Sequence, residues 1–200
     1  MKKKIQFLSV LSAVVFGFLA FTTLDKKTIV IDAGHGGQDA GVDVRGFEEK
    51  TITEAVAKKI KELNKNANVE IVLLRDGDVN MDLPERVSKI NNLKPDLVIS
   101  LHISTNRNVK ANGVRAYITS KETFHDQSKQ IAETVIDKIA INGNLEKGKV
   151  TEAPFFILKN AECPVVLLEM GYLSNENDRD YLTSEKGQSE IADKILESIK

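Results

Sequence analysis

The sequence is poor in cysteine and histidine and contains no tryptophan. Among its 200 residues are one cysteine, three histidines and four prolines. A single thiol cannot form an internal disulfide, and Cys163 precedes Pro164 and an apolar run, so we expect a packed core residue rather than a nucleophile. There is no internal repeat, low-complexity tract or interdomain linker. Beyond its N-terminal leader the chain is therefore expected to form one domain.

The chain also lacks an excess of positive charge. It carries 28 Lys and Arg residues against 29 Asp and Glu residues. The lysines at positions 2–4 belong to the leader, so the remainder is mildly acidic. Because nucleic-acid-binding domains are typically basic, no nucleic-acid partner is expected.

Two common catalytic signatures are missing. No Gly-x-Ser-x-Gly motif occurs, which removes the commonest sign of a serine hydrolase. The glycine-rich run Gly34–Gly37 is not followed by Gly-Lys-Ser/Thr, so a phosphate-binding P-loop is not expected.

The third histidine, His125, lies beside Asp126 at a predicted helix start and is expected to be a surface residue.

The N-terminus has the layout of a secretory signal. Lys2–Lys4 is followed by a nearly uninterrupted apolar stretch, Ile5–Phe21. This stretch is shorter than the ~20 apolar residues of a usual membrane-spanning helix, and no clear cleavage site ends it. Residues 1–24 are therefore predicted to be a signal peptide or a signal anchor, the only membrane contact. Residues 25–200 form the exported domain, in the periplasm or cell envelope.

Strand and helix patterns alternate along residues 25–200. Strands are predicted at 28–32, 69–74, 97–102, 113–119, 155–158 and 165–169. Helices are predicted over about 50–63, from Asp82 to the turn before Pro95, from about 127 onwards, and at the C-terminus. This alternation predicts an α/β fold: a single domain with a mostly parallel twisted sheet and helices on both faces.

Two of the three histidines follow apolar strands. His35 comes shortly after Thr28–Asp32, and His102 directly after Leu97–Leu101. Ligands of open α/β sheets bind beyond the carboxyl ends of the strands, so we expect both imidazoles on the same rim. This placement indicates a metal site.

Acidic residues could complete such a site. A catalytic zinc takes three ligands from His, Glu or Asp and leaves a further position for water. Glu48 or Glu49 could be the third ligand, or both could be solvated acids at a helix N-terminus. Glu169 follows an apolar strand and is expected to be a general base; its structural alternatives are an ion pair with Lys or Arg, or a capping contact with Asn175. Asp32 and Asp39 flank His35: Asp32 is expected to hold the loop, and a carboxylate contact to an imidazole would be a further role here.

Four separated segments carry a shared pattern. They are Ile29–Gly41 around the first histidine, Glu49-Lys50, Ser100–His102, and Leu168–Asn175 around Glu169. In this order and spacing they resemble the zinc-dependent N-acetylmuramoyl-L-alanine amidases, and more narrowly the cell-wall amidases whose catalytic domain has a doubly wound α/β fold. Leu74-Arg75-Asp76 and Leu83-x-x-Arg86 agree with that resemblance. It covers nearly the whole chain after the leader.

The resemblance implies a site and an activity. It makes His35, Glu49 and His102 the ligands of one Zn²⁺ per chain, with Glu49 preferred over Glu48 because the family's ligand glutamate directly precedes a lysine. Glu169 falls on the catalytic glutamate. The implied reaction is hydrolysis of the amide between N-acetylmuramic acid and L-alanine in peptidoglycan, for cell-wall remodelling and cell separation. Peptidoglycan is the implied partner.

Two rival functions stay open at this point. A non-catalytic peptidoglycan-binding domain would keep the fold and hold zinc structurally. A zinc peptidase would use the same chemistry within the stem peptide.

Two segments depart from the family's pattern. The segments Ile103–Asn106 and Lys147–Val150 replace the family's common Ala-Asn and Arg-Gly-Val, and this difference bears on substrate preference.

The length of one connection bears on regulation. Some amidases of this kind carry an inserted helix that covers the zinc until a partner protein removes it. Here only seven residues, Ser120–Asp126, separate a predicted strand from the next helix. A helix of that length spans only ~10 Å. We therefore expect an open cleft and no obligatory activator. Separately, the protein is expected to be a monomer.

Overall fold

The computed structural model describes residues 26–199. The predicted leader, residues 1–24, lies outside the described residues. Within the described range, none of the helices combines the length and the apolar character needed to cross a bilayer.

A six-stranded sheet forms the centre of the domain. The strands are β1 (Lys27–Ala33), β2 (Asp43–Val44), β3 (Phe47–Glu48), β4 (Val69–Leu73), β5 (Leu97–Ser104), β6 (Val114–Ile118), β7 (Lys147–Glu152) and β8 (Val165–Tyr172). The main sheet has the order β4-β1-β5-β8-β6-β7, and β2 pairs with β3 separately. Neighbours in the main sheet run parallel except β6 and β8. The predicted α/β fold with a mostly parallel sheet is confirmed.

Helices cover both faces of this sheet. Within residues 26–199 they are α1 (Glu49–Leu63), α2 (Leu83–Leu93), α3 (Glu122–Ala140), α4 (Phe156–Asn160), α5 (Glu176–Thr183) and α6 (Glu185–Ser198). Helices α1, α3 and α6 contribute to the larger apolar core on one face. Helices α2 and α4 contribute to a smaller core on the other face. Cys163 is buried in the smaller core, as expected, and burial raises the pKa of its thiol to about 11.

Consecutive strand residues belong to opposite cores. Ile29 and Ile31 face the α1 side, whereas Val30 faces the α2 side. The same alternation along β8 places Val165 and Leu167 on the α2 side. Because both faces are covered, the central strands are mostly apolar, with few buried polar residues such as Asp32 and Ser100, and this composition is why the sequence predicts them.

The prediction of a strand at residues 155–158 is wrong. These residues begin helix α4, and the strand of this region is β7, which precedes it. A four-residue apolar run does not distinguish a strand from a buried helical turn. Strand β7 lies at an edge of the sheet with most of its side chains exposed, so no apolar run marked it.

Two further helices differ from expectation. Helix α3 begins at Glu122, about five residues early, because its first turns are largely exposed and show no apolar repeat. The short polar helix α5 was not predicted. Asn175 caps it by accepting a hydrogen bond from the backbone N–H of Asp178 at 3.1 Å.

Candidate metal centre and active site

Three of the predicted site residues meet at the carboxyl edge of the sheet. His35, Glu49 and His102 each offer a ligand atom, and these atoms all lie within 4.8 Å of one another. Nε2 of His35 lies 3.2 Å and Nδ1 of His102 lies 2.9 Å from Oε1 of Glu49. The two imidazole rings stand edge to face, with centroids 5.1 Å apart.

The chemistry and spacing of this cluster fit a zinc ion. Tetrahedral coordination with bonds of ~2.0–2.2 Å places ligand atoms about 3.3–3.6 Å apart, close to the separations observed. Two imidazoles and one carboxylate form a known catalytic donor set that leaves one position for water. Among residues 26–199 this is the single cluster of three such side chains.

The structure separates the two adjacent glutamates. Glu49 is buried at the first position of α1, and its oxygens accept hydrogen bonds from the backbone N–H groups of Val42 and Ile103, both at 2.9 Å. Glu48 instead lies in β3, with its carboxylate 3.8 Å from Nζ of Lys50. Only Glu49 reaches the imidazoles. Burial acts to raise the pKa of Glu49, but the imidazoles that contact it outweigh burial and hold the pKa well below its usual range.

His35 is presented by a loop with a strained backbone. Its φ is 60°, in the left-handed region that non-glycine residues rarely adopt. Arg86 is buried beneath this loop and donates to the carboxylate of Asp32 and to the backbone carbonyls of Ala33 and His35. Ser100 also donates to Asp32, at 2.7 Å. Asp32 therefore helps to hold the loop, as expected.

A second arginine and a lysine hold the same loop from the α1 side. Arg75 donates to the carbonyls of Ala33 at 3.0 Å and Gly34 at 3.3 Å. Lys50 donates to the carbonyl of Gly37 at 2.7 Å. The residue that follows Glu49 thus fixes the loop of the other ligand.

Of the two aspartates that flank His35, Asp39 makes the contact to the imidazole. Oδ2 of Asp39 lies 2.8 Å from Nδ1 of His35, and accepting that ring's N–H leaves Nε2 of His35 available as a ligand. Burial lowers the pKa of His35, but the neighbouring Glu49 and Asp39 outweigh burial and raise it to about 9. The sequence places both Asp32 and Asp39 beside the first histidine but does not show which of the two contacts the ring.

Two glycines let the ligands approach one another. A Cβ on Gly34 would lie 2.5 Å from Cε1 of His102. A Cβ on Gly41, whose φ is +68°, would lie 2.5 Å from Oε2 of Glu49 and 2.6 Å from Cδ2 of His35. Any larger residue at either position would displace a ligand side chain.

Glu169 lies beside this cluster on β8. It is the register partner of His102 on β5, so both side chains leave the same face of the sheet. Its Oε2 is buried and has no hydrogen-bond partner among the described residues. Burial raises the pKa of Glu169, and the Ser104 hydroxyl and the charge of His102 lower it only in part. An unsatisfied buried carboxylate oxygen is costly, which points to a role toward a ligand or a reacting proton.

A cavity of about 520 Å³ opens next to these groups. His35, His102 and Glu169 line it, together with apolar side chains at Leu83, Phe155 and Phe156. The described residues place no helix between β6 and α3, where residues 119–121 alone connect the two elements.

His125 takes no part in the site and lies partly exposed on α3, beside Asp126 and Glu152.

Fold and site together define a class of protein. A mostly parallel α/β sheet that gathers two imidazoles, a ligand carboxylate and a second buried carboxylate at its rim is typical of a hydrolytic domain with a metal centre. The model of the N-acetylmuramoyl-L-alanine amidase family matches residues 29–200, and the chain belongs to that family.

Individual relatives agree with this assignment. The uncharacterized protein YqiI of Bacillus subtilis is 31% identical over 88% of this chain and 84% of its own length. The N-acetylmuramoyl-L-alanine amidase LytC of Bacillus subtilis is 32% identical over 86% of this chain, which spans only 34% of LytC. The catalytic domain structure of CwlV, the amidase from Bacillus (Paenibacillus) polymyxa var. colistinus, is 32% identical with a TM-score of 0.79, covering 86% of this chain and 96% of CwlV.

A buried carboxylate secures the bulge that follows Glu169. Oδ2 of Asp178 accepts hydrogen bonds from the backbone N–H groups of Gly113 at 2.8 Å and Tyr172 at 2.9 Å. It thereby ties the end of β8 to the segment before β6. Burial raises the pKa of Asp178 to about 6, and the charge of Glu146 adds to this.

We predict that Asp178 makes stability depend on pH. Its folded-state pKa of about 6 exceeds the usual 3.8, so its contribution to folding is complete below the usual value and is lost as pH rises through about 6. Asp178→Asn keeps an acceptor oxygen but does not titrate. Relative to this variant, the free energy of unfolding of the wild type should fall between about pH 4 and about pH 7, measured by urea denaturation.

The exposed residue Asp193 on α6 provides a control, since Asp193→Asn should follow the wild-type pH dependence. Titration of the histidines is common to all three proteins and cancels in the comparison. Parallel curves for the wild type and Asp178→Asn would contradict the prediction.

Proposed function

We propose that this protein is a zinc-dependent amidase that acts in the cell envelope on the bond between N-acetylmuramic acid and L-alanine of peptidoglycan. The observation that carries the proposal is the convergence of His35, Glu49 and His102 beside the carboxylate of Glu169, whose buried Oε2 has no hydrogen-bond partner among the described residues. Membership of the amidase family supplies the substrate class. Export through the predicted leader, residues 1–24, and a monomeric state are part of the proposal.

The residues of the cluster have distinct tasks as ligands. His35, Glu49 and His102 would hold one zinc ion, which when bound would polarise the scissile carbonyl and lower the pKa of water. Asp39 orients the imidazole of His35, while the backbone N–H groups of Val42 and Ile103 orient the carboxylate of Glu49. Glu49 stays ionised and supplies negative charge to the site.

Glu169 is the proton carrier in this proposal. Its ionised carboxylate takes a proton from the attacking water, and its raised pKa favours holding that proton until the C–N bond breaks. The proton then passes to the departing nitrogen. The products are a lactyl-muramic acid with a free carboxyl group and a peptide with a new N-terminal L-alanine.

The site and the family membership together favour the amidase over its two rivals. A structural zinc in a binding domain has no need of a buried carboxylate without a partner beside the metal, because such a group costs stability. A peptidase acting within the stem peptide would use the same residues, and family membership supports the amidase over it. Digestion products separate all three.

The purified protein, supplied with zinc and no partner protein, should release peptides from isolated peptidoglycan sacculi. No described helix covers the cleft, and the connection of residues 119–121 is too short to provide one. Mass spectrometry should identify peptides with a new L-alanine N-terminus. Strict dependence on an added partner would overturn the prediction of no activator, and cleavage within the peptide would favour the peptidase.

The adjacent glutamates form a matched pair for testing the metal site. Glu49→Gln should strongly weaken zinc binding, because it removes the charge of the one carboxylate that reaches both imidazoles. Glu48→Gln should bind zinc like the wild type, since its carboxylate points to Lys50. Zinc content after dialysis measures both. Loss of zinc in Glu48→Gln alone would refute the ligand assignment.

Replacing the proton carrier should separate catalysis from metal binding. Glu169→Gln keeps the shape of the side chain but cannot accept the proton, so turnover should fall by roughly 10²–10⁴-fold. Zinc content and the thermal unfolding midpoint should stay close to wild type, because no metal ligand is changed. Near-normal turnover in a variant with full zinc content would rule out this role.

A further inference from the structure

Arg115 lies beside the proposed proton carrier but is not part of the metal cluster. It is the register partner of Glu169 where β6 pairs antiparallel with β8. Paired residues of neighbouring strands project to the same face, so Arg115 leaves the face that carries Glu169 and His102. The two side chains are therefore neighbours on that face of the sheet.

The guanidinium of Arg115 is oriented by an aromatic ring. Its central carbon lies 4.9 Å from the ring centroid of Tyr172, a side chain that is only 1% exposed. Stacking on an aromatic face leaves the N–H donors at the edge of the guanidinium free to bind other groups. Arg115 is thus held in place without using its hydrogen-bonding capacity.

Two buried arginines near the site contrast with Arg115. Arg75 and Arg86 donate to backbone carbonyls of the loop around His35, and these bonds fix the loop. Among residues 26–199, by contrast, the guanidinium of Arg115 takes part in no hydrogen bond and no ion pair. A half-buried arginine with unused donors next to a reactive carboxylate is suited to bind an anionic group of a ligand.

We propose that Arg115 binds a carboxylate on the peptide side of the substrate and so positions the scissile amide beside Glu169. This inference rests on the proposed amidase function. Glu169 delivers its proton to the departing nitrogen. The part of the substrate that lies beyond Glu169, on the side away from the metal, is therefore the leaving peptide. The bound carboxylate is that of the second residue, paired through two parallel N–H···O bonds.

The spacing of the two side chains agrees with this assignment. Paired residues of antiparallel strands have Cα atoms about 4.5–5.5 Å apart. The Cα atom of the second peptide residue lies about 3.8 Å from that of the first, which carries the scissile nitrogen. A carboxylate attached to that second Cα can therefore reach Arg115 while the scissile nitrogen faces Glu169.

The test uses two synthetic muramyl peptides that differ in a single group. The second residue carries a free carboxylate in one peptide and a primary amide in the other. The wild type should prefer the carboxylate by about 10- to 100-fold in kcat/KM, the range expected for a hydrogen bond to a charged group. Arg115→Gln should reduce this preference to about one, mainly through KM, and Arg115→Lys should retain part of it.

Lys61→Gln is the charge-matched control. Lys61 is exposed in the last turn of α1, and the helix begins at the rim and carries this residue away from it. Its removal should leave the wild-type preference intact. Zinc content and thermal unfolding of each variant report whether the fold is preserved.

The outcomes separate the two proposals. A wild type that cleaves neither peptide nor sacculi would refute the amidase function itself. Cleavage of both peptides at equal rates, or an equal loss on both in Arg115→Gln, would overturn the role of Arg115 and leave the amidase intact. Inhibition of the wild type by the two released peptides gives a second readout that needs no variant, and the carboxylate form should inhibit at a concentration about 10- to 100-fold lower.

Discussion

The site depends on two buried guanidinium groups that hold a strained loop. Arg75 and Arg86 donate to the carbonyls of residues 33–35, so these inward-facing groups are satisfied without water. The left-handed backbone of His35 costs about 1–3 kcal/mol, and each hydrogen bond to a charged donor contributes roughly 1.5–3 kcal/mol. Several such bonds can offset the strain. The first imidazole reaches Glu49 only because this loop is held.

The two buried glutamates illustrate how environment divides similar groups between tasks. Glu49 contacts both imidazoles and accepts backbone N–H bonds, so its pKa is lowered despite burial. Glu169 is buried with an unpartnered oxygen, so its pKa is raised. A carboxylate that stays ionised suits a metal ligand, whereas one that gains and loses a proton suits an acid–base group. The neighbouring strands β5 and β8 and the start of α1 bring these two different environments together at one edge of the sheet.

Much of the fold could be predicted because the central strands are buried on both faces. Their apolar runs end at His102 and Glu169, and both residues lie on the rim as expected. The predictions were wrong where a segment was short or was buried on one side only. Residues 155–158 form a helical turn, and the exposed edge strand β7 has no apolar run. An apolar pattern in the sequence indicates burial. It does not indicate which neighbouring element an exposed or short segment will pack against.

The sequence by itself determined which side chains arrive at the carboxyl edge, since strand direction and alternation depend on the local order of residues. The residue pattern left Glu48 and Glu49 both open, and the family resemblance favoured Glu49. Only the tertiary structure shows which glutamate reaches the imidazoles and that Asp39, not Asp32, contacts His35. Ile103, distant in the sequence, donates the N–H that turns Glu49 toward the imidazoles, and Arg86 holds Asp32 away from them. Adjacent residues of the same type differ only in such long-range contacts, which no local pattern encodes.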